Sequence, residues 1–279
     1  MNVISGEITS IWKRYTESTN HNGQDTGYDN DSELFRYRPE KLNDITQQQS
    51  HKITSTAVEL AKIINQGGVI YIFGCGHSHI FAEDVFYRAG GIAPVRPIFI
   101  EPLMLHQGAA ASSYYEKQND YIAEHLAKFS ITSKDALIVI STSGINPAPV
   151  DAALWAKQHG AFTLALTSFL YAETQPSKHK AGLKLRDCVD VAIDNQVPIG
   201  DAVLSLTEHA TPFAPVSSMT GLFIMHTLFA EIIANLGSEN KSLPVFLSGN
   251  IANSAQHNEY LLEKYGAQIP ELINNTSFK

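Results

Sequence analysis

Five short apolar runs limit what this chain can fold into. They cover residues 69–73, 95–100, 136–140, 162–166 and 189–193. Each is short and mostly continuous, as expected of a strand buried on both faces. Between them lie stretches with helical spacing, at about 79–89, 113–129 and 148–159. Strands that alternate with helices make a parallel sheet covered on both sides, an α/β architecture. Pro97 in the second run points to an edge or irregular strand, because proline cannot donate to a ladder.

The flanking segments are less regular. Residues 42–66 carry Ile53, Ala57, Leu60, Ala61 and Ile64 at helical spacing and stop at Gly67-Gly68. Residues 1–15 place Ile4, Ile8, Ile11 and Trp12 on one helical face, and 18–40 is polar and turn-rich. The expected organisation is a helix plus polar loop over 1–41 and one domain over 42–279. Beyond the fifth run, 201–206 alternates weakly and reads as one more strand. Residues 219–236 read as a buried helix, with His226 a core histidine. A short apolar stretch at 245–247 and a helix at 258–265 come after it.

Composition excludes several function classes. The 279 residues carry a formal net charge of −8 and no lysine or arginine cluster, so no nucleic-acid partner is expected. The two cysteines, Cys75 and Cys188, form no C-x-x-C pair. Redox and cysteine-rich zinc motifs are therefore not expected, and scarce cysteine fits a reducing compartment. The first residues lack a signal-peptide core, and 219–236 contains His226 and Glu231 and is short for a bilayer. A cytoplasmic protein with no membrane partner is the expectation.

Two loops carry the chemistry. Gly74-Cys75-Gly76-His77-Ser78 follows the first run, and Ser141-Thr142-Ser143-Gly144 follows the third. Each is a small-residue turn at the carboxyl end of a buried strand, where open α/β sheets bind their ligands. Main-chain amides and hydroxyls gathered there suit a phosphate group. Gly76 lets the backbone approach a ligand, and Ser78 adds a hydroxyl at the helix start. Asn146 reads as a helix N-cap, with Pro147 the favoured first residue. The third glycine of a dinucleotide fingerprint is replaced by His79, and no G-x-S-x-G elbow occurs. Dehydrogenase and serine-hydrolase readings are thereby disfavoured.

The order of strand, GxGxS loop, helix, strand, helix, strand, SxSG loop and helix resembles the sugar isomerase (SIS) domain family. The stretches Phe73-Gly74-Cys75-Gly76-His77-Ser78-His79, Phe86-Tyr87-Arg88-Ala89-Gly90-Gly91, Glu101-Pro102-Leu103-Met104-Leu105-His106 and Pro198-Ile199-Gly200-Asp201-Ala202 are especially similar to a stand-alone bacterial subgroup. The likeness spans about 42–255. It implies a three-layer, doubly wound, flavodoxin-like sheet of five parallel strands, a phosphorylated sugar as ligand, and a homodimer or homotetramer. It places phosphate contacts on Ser141, Ser143, Gly144 and Asn146, with Ser78 near the sugar; Gly76 and Thr142, from the loops themselves, complete the substrate-binding candidates. Phosphoheptose isomerases and N-acetylmuramic acid 6-phosphate etherases carry a catalytic glutamate ten residues beyond the first-loop serine. Here that position is Arg88.

Proton chemistry therefore needs other groups. His77, Glu83, Glu101 and His106 are the catalytic candidates by their nearness to strand ends, with His79, Asp201 and His226 as further possibilities. A sugar-phosphate aldose–ketose isomerase is the leading expectation. An etherase-like lyase and a non-catalytic phosphosugar sensor are the alternatives. No cofactor is expected; a divalent metal held by His77, His79, Glu101 and His106 is the one option of that kind.

Overall fold

The computed structural model describes residues 30–206, 209–239 and 242–273. The helix expected over 1–15 lies outside the described residues. The chain divides into units of 1–37 and 38–279, and the sheet belongs to the second. Helix α1 spans Asn30–Asn65, and strand β1 spans Ile70–Gly74. A 3-10 turn at Gly76–His79 leads into α2, Ile80–Val85. Then come β2 (Val95–Ile98), α3 (Ala109–Tyr115), α4 (Ala123–Leu126), β3 (Ala136–Ile140) and α5 (Pro147–Gln158). They are succeeded by β4 (Phe162–Thr167), α6 (Phe169–Thr174) and β5 (Val191–Asp194). A hairpin of β6 (Leu204–Leu206) and β7 (His209–Phe213), α7 (Ser217–Glu239) and α8 (Ser254–Tyr265) complete the order.

Strands β1 to β5 form one parallel sheet in the order β2-β1-β3-β4-β5. This is the flavodoxin-like order, with its switch point between β1 and β3. Side-chain alternation builds two cores. Tyr71, Phe73, Leu137, Val139 and Ala165 face α5 and α8, where Ala148, Ala152, Ala156 and Leu261 are buried. Ile70, Ile72, Ile138, Ile140, Leu164 and Leu166 face α1, α2 and α7. The result is three layers. Packing outweighs local propensity here. Full burial of one such side chain contributes about 1.5–3 kcal/mol, against under about 0.7 kcal/mol for most helix-propensity differences. Helix α2 is too short to persist alone; buried Phe81, Ala82 and Val85 hold it in place.

Helix α7 is the one helix among the described residues long and apolar enough to cross a membrane by length and composition. Its Ile224, Met225, Leu228, Phe229, Ile232 and Leu236 are buried in the second core. His226 is not a core residue. It lies on the exposed side of α7, with Nε2 2.8 Å from Asp84 Oδ2, and Arg88 Nη1 meets the same oxygen at 2.7 Å.

Several boundaries differ from those expected of the sequence. The 18–40 loop gives way to helix from Asn30 onward, and the 41/42 boundary falls inside α1. Pro39 removes one donor from that helix without ending it. The helix expected at 113–129 is two short ones. Asp120 between them has φ +62° and donates its amide to Asp151 Oδ2 at 2.8 Å, while Tyr115 stacks on Tyr121 with ring centroids 4.5 Å apart. The helix expected at 79–89 stops at Val85, since Phe86 is extended and Tyr87 has φ +44°. Residues 245–247 contribute only an isolated bridge, Ile92 to Val245.

The segment 244–246 pairs with 90–93, just ahead of β2, through Gly90 N–H to Phe246 O (2.8 Å) and Ala93 N–H to Pro244 O (2.7 Å). At β5, two side chains of α1 replace a neighbouring strand. Gln49 Oε1 accepts from Asp194 N–H at 3.3 Å, and Lys52 Nζ donates to Ala192 O at 3.0 Å. The double change Gln49→Ala with Lys52→Ala is expected to lower unfolding free energy by about 1–3 kcal/mol in urea titration. It should also raise light scattering, because the bared edge is a template for pairing. An unchanged midpoint and scattering would show that the edge needs no such cover.

Candidate functional site

An open cavity of about 310 Å³ lies beyond the carboxyl ends of the sheet. The connection after every strand contributes to it. Cys75, Gly76, His77 and Ser78 follow β1; Leu105, Ser112, Ser113 and Glu116 follow β2; Ser141, Thr142, Ser143 and Asn146 follow β3. Tyr171 comes from α6 after β4, and Asp201 follows β5. The two loops singled out in the sequence are thus brought together, because β1 and β3 are neighbours in register.

The turn after β3 has an asymmetric hydrogen-bond inventory. Three of its carbonyls are taken: Thr142 O accepts from Ser168 N–H (2.9 Å), Gly144 O from Leu185 N–H (2.8 Å), and Ile145 O from Lys178 N–H (2.9 Å). Its amides are mostly free. Gly144 N–H donates to Ser141 Oγ at 3.2 Å, whereas the amides of Thr142, Ser143, Ile145 and Asn146 have no acceptor among the described residues. Four unpaired amides beside mostly satisfied carbonyls leave a concave patch of partial positive charge. Gly144 makes the turn possible. It has φ +60°, and a Cβ there would lie 2.5 Å from Thr167 Oγ1.

The start of α5 adds no free donor. Pro147 and Pro149 have no N–H, and Ala148 N–H donates to Glu116 O at 3.1 Å. An anion at this end of α5 would therefore meet its donors on the turn before the helix. Asn146 occupies the cap position with extended backbone but caps nothing through its side chain. Its Nδ2 instead donates to Glu116 Oε1 at 2.9 Å, leaving Oδ1 buried without a partner.

Glu116 closes α3 and presents its carboxylate to the cavity. Tyr171 accepts a hydrogen bond from Gly200 N–H, so its own O–H proton remains available to a ligand. Asp201 plays a structural part. Its Oδ1 accepts from Val216 N–H (3.0 Å) and Ser217 N–H (2.8 Å), and its Oδ2 from Ser217 Oγ (2.5 Å), fixing the start of α7.

Cys75 lies at the cavity floor. Burial, and then the nearby Glu116 charge, push its thiol well above the ordinary range. Burial likewise pushes Cys188 up to about 11. Only the thiolate is reactive. Native protein is therefore expected to resist an aromatic disulfide reagent at mildly alkaline pH, with both thiols titrating after denaturation. Rapid labelling of the native chain would contradict this.

The remaining candidates lie outside the cavity lining. Glu83 is exposed, and its Oε1 lies 3.5 Å from His79 Nε2. The other ring nitrogen of His79 meets Gly76 O, which ties the 3-10 turn together. His106 is exposed, with its ring 6.4 Å from that of His79, and Glu101 is an exposed residue opening a separate 3-10 turn. No group of three His, Cys, Asp or Glu side chains able to hold a metal occurs among the described residues, so the four-residue metal set is not assembled. Glu116 was missed because 113–129 reads as one continuous helix, which hides a helix end at the cavity. Tyr171 was reachable from topology alone, since it comes soon after β4.

The chain is 45% identical over 241 residues to the UPF0309 protein of Geobacillus thermodenitrificans, covering 86% of this chain and 97% of that one. It is 46% identical over 234 residues to the UPF0309 protein of Listeria innocua, covering 84% and 95%. The chain belongs to the UPF0309 family. Residues 35–168 of this family member match the SIS domain model. That span holds β1 to β4 and both loops. Among solved structures, a phosphoheptose isomerase from Francisella tularensis superposes with a TM-score of 0.51 at 17% identity, covering 74% of this chain and 98% of that one. At that identity the likeness establishes the shared fold.

Proposed function

We propose that this SIS-domain protein binds a phosphorylated sugar in the cavity and interconverts its aldose and ketose forms. The observation that carries the reading is the turn after β3, where four amides are free while three carbonyls are bonded. Such a turn offers mainly donors, which suits an acceptor-rich group, and a phosphate monoester is one. The hydroxyls of Thr142 and Ser143 supplement the amides. The remainder of the sugar faces Ser78, His77, Glu116 and Tyr171.

Aldose–ketose interconversion moves one proton between C2 and C1 and another between their oxygens. In this reading the Glu116 carboxylate takes the C2 proton of the open-chain aldose, giving an enediol, and returns it to C1. His77 carries the proton between O1 and the heteroatom on C2. Asn146 steers Glu116 by holding Oε1, which leaves Oε2 for the substrate.

A thermal-shift screen of pentose, hexose, heptose and amino-sugar phosphates tests the binding. A ligand at a hundred times its Kd stabilises the native state by about 2.7 kcal/mol, an easily read shift. Ser143→Ala is expected to weaken sugar phosphates about tenfold, as for loss of one hydrogen bond to a charged group. Unphosphorylated sugars should be unaffected. Equal weakening of both would remove the phosphate from this turn. Turnover of the bound hit, followed by proton NMR, separates an isomerase from a binding protein.

A further inference from the structure

The charges lining the cavity narrow the class of sugar, and this step rests on the phosphosugar reading above. Among the described lining residues none is lysine or arginine, whereas Glu116 and Asp201 are carboxylates. His77 is the one imidazole among the described lining residues. Asp201 is engaged by two amides and a hydroxyl at the start of α7. Glu116 differs. Asn146 binds only its Oε1, and Oε2 has no partner among the described residues.

A phosphate seated on neutral amides brings negative charge into a cavity that already contains an open carboxylate. No lysine or arginine among the described lining residues offsets the sum. The turn's amides neutralise part of the phosphate, but their partial charges do not reach across to Glu116 with the strength of a full cation. A ligand that carries its own cation removes the imbalance and gives Oε2 a partner. A carboxylate that faces C1 and C2 of a sugar also faces a substituent on C2.

We propose that the ligand is an amino-sugar phosphate with a free, protonated amine, its phosphate on the amides of 142–146 and its ammonium on Glu116; with nitrogen on C2, the same two proton transfers give the 2-imine of the ketose. A neutral hexose phosphate and an N-acetylated amino-sugar phosphate fill the same space without that charge.

Isothermal titration of the full chain with 6-phosphates of the gluco, manno and galacto series, each as hexose, hexosamine and N-acetylhexosamine, tests the proposal. The free amine is expected to bind at least about tenfold tighter than both counterparts in one series, a difference of about 1.4 kcal/mol. In Glu116→Gln the preference should collapse to under about threefold, under about 0.7 kcal/mol. The hexose phosphate should bind that variant at least as well as wild type, since a repelling charge is gone. Retained hexose phosphate binding also reports that the variant folds, and the wild-type comparison needs no variant. Equal or weaker binding of the amine, or a preference that survives in Glu116→Gln, overturns the proposal and leaves the phosphosugar reading standing. No binding by any member of the panel overturns that reading, and this proposal with it.

Discussion

Glu116→Gln is expected to lower turnover of the phosphosugar about 10²–10⁴-fold, the range for loss of a general acid–base group. Glutamine keeps the shape and still accepts from Asn146, but it cannot take a proton from carbon. The amine contact proposed for the same side chain accounts for only about tenfold, or about 1.4 kcal/mol. The two roles therefore separate by size and by parameter. Loss of the contact raises KM, whereas loss of the proton carrier lowers kcat. Steady-state kinetics on the screened substrate decides the matter, and unchanged kcat would take Glu116 out of the chemistry. Asn146→Ala should lie between, because Glu116 keeps its carboxylate but loses its fixed direction.

The second large effect is expected at Gly74. A Cβ there would lie 2.4 Å from Ser78 O and 2.6 Å from Ser78 C, both main-chain atoms that cannot swing aside. Gly74→Ala must push the 3-10 turn off the end of β1 and carry Gly76, His77 and Ser78 with it. The expected cost is about 1–3 kcal/mol of stability, as for other overpacked sites, together with loss of ligand binding. Gly249→Ala is the control. Nothing lies within 4 Å of its added carbon, and a change within about 0.5 kcal/mol is expected. Urea unfolding of both variants beside wild type reads the contrast. A Gly74→Ala protein as stable as wild type would mean that the turn has slack.

The sheet was legible because its strands are buried on both faces, which leaves continuous apolar runs such as Ala136–Ile140. Proline at position 97 marked the edge strand for a reason that is local and physical. The two loops were legible for the same cause, since the residues just past a central parallel strand land at the ligand edge. Groups that reach the cavity from helix ends were harder to find. Glu116 looks like any helical glutamate until Asp120 takes a left-handed backbone and breaks the helix after it. Glu83, Glu101 and His106 are near strand ends in sequence but do not line the cavity, because nearness along the chain does not fix where a side chain lies. The hairpin of β6 and β7 was half seen, because β7 contains Pro212 and reads poorly as a strand.

The anion seat proposed after β3 is made mainly from groups that every residue except proline possesses. Side-chain changes at 142, 143 and 145 would therefore cost single contacts and leave the amide grip in place, provided Gly144 keeps the path of the chain. The proposed sugar-facing wall of Glu116, His77 and Tyr171 would have no such freedom. A lineage carrying this fold can retain its hold on the phosphate while exchanging the opposite wall for a new substrate.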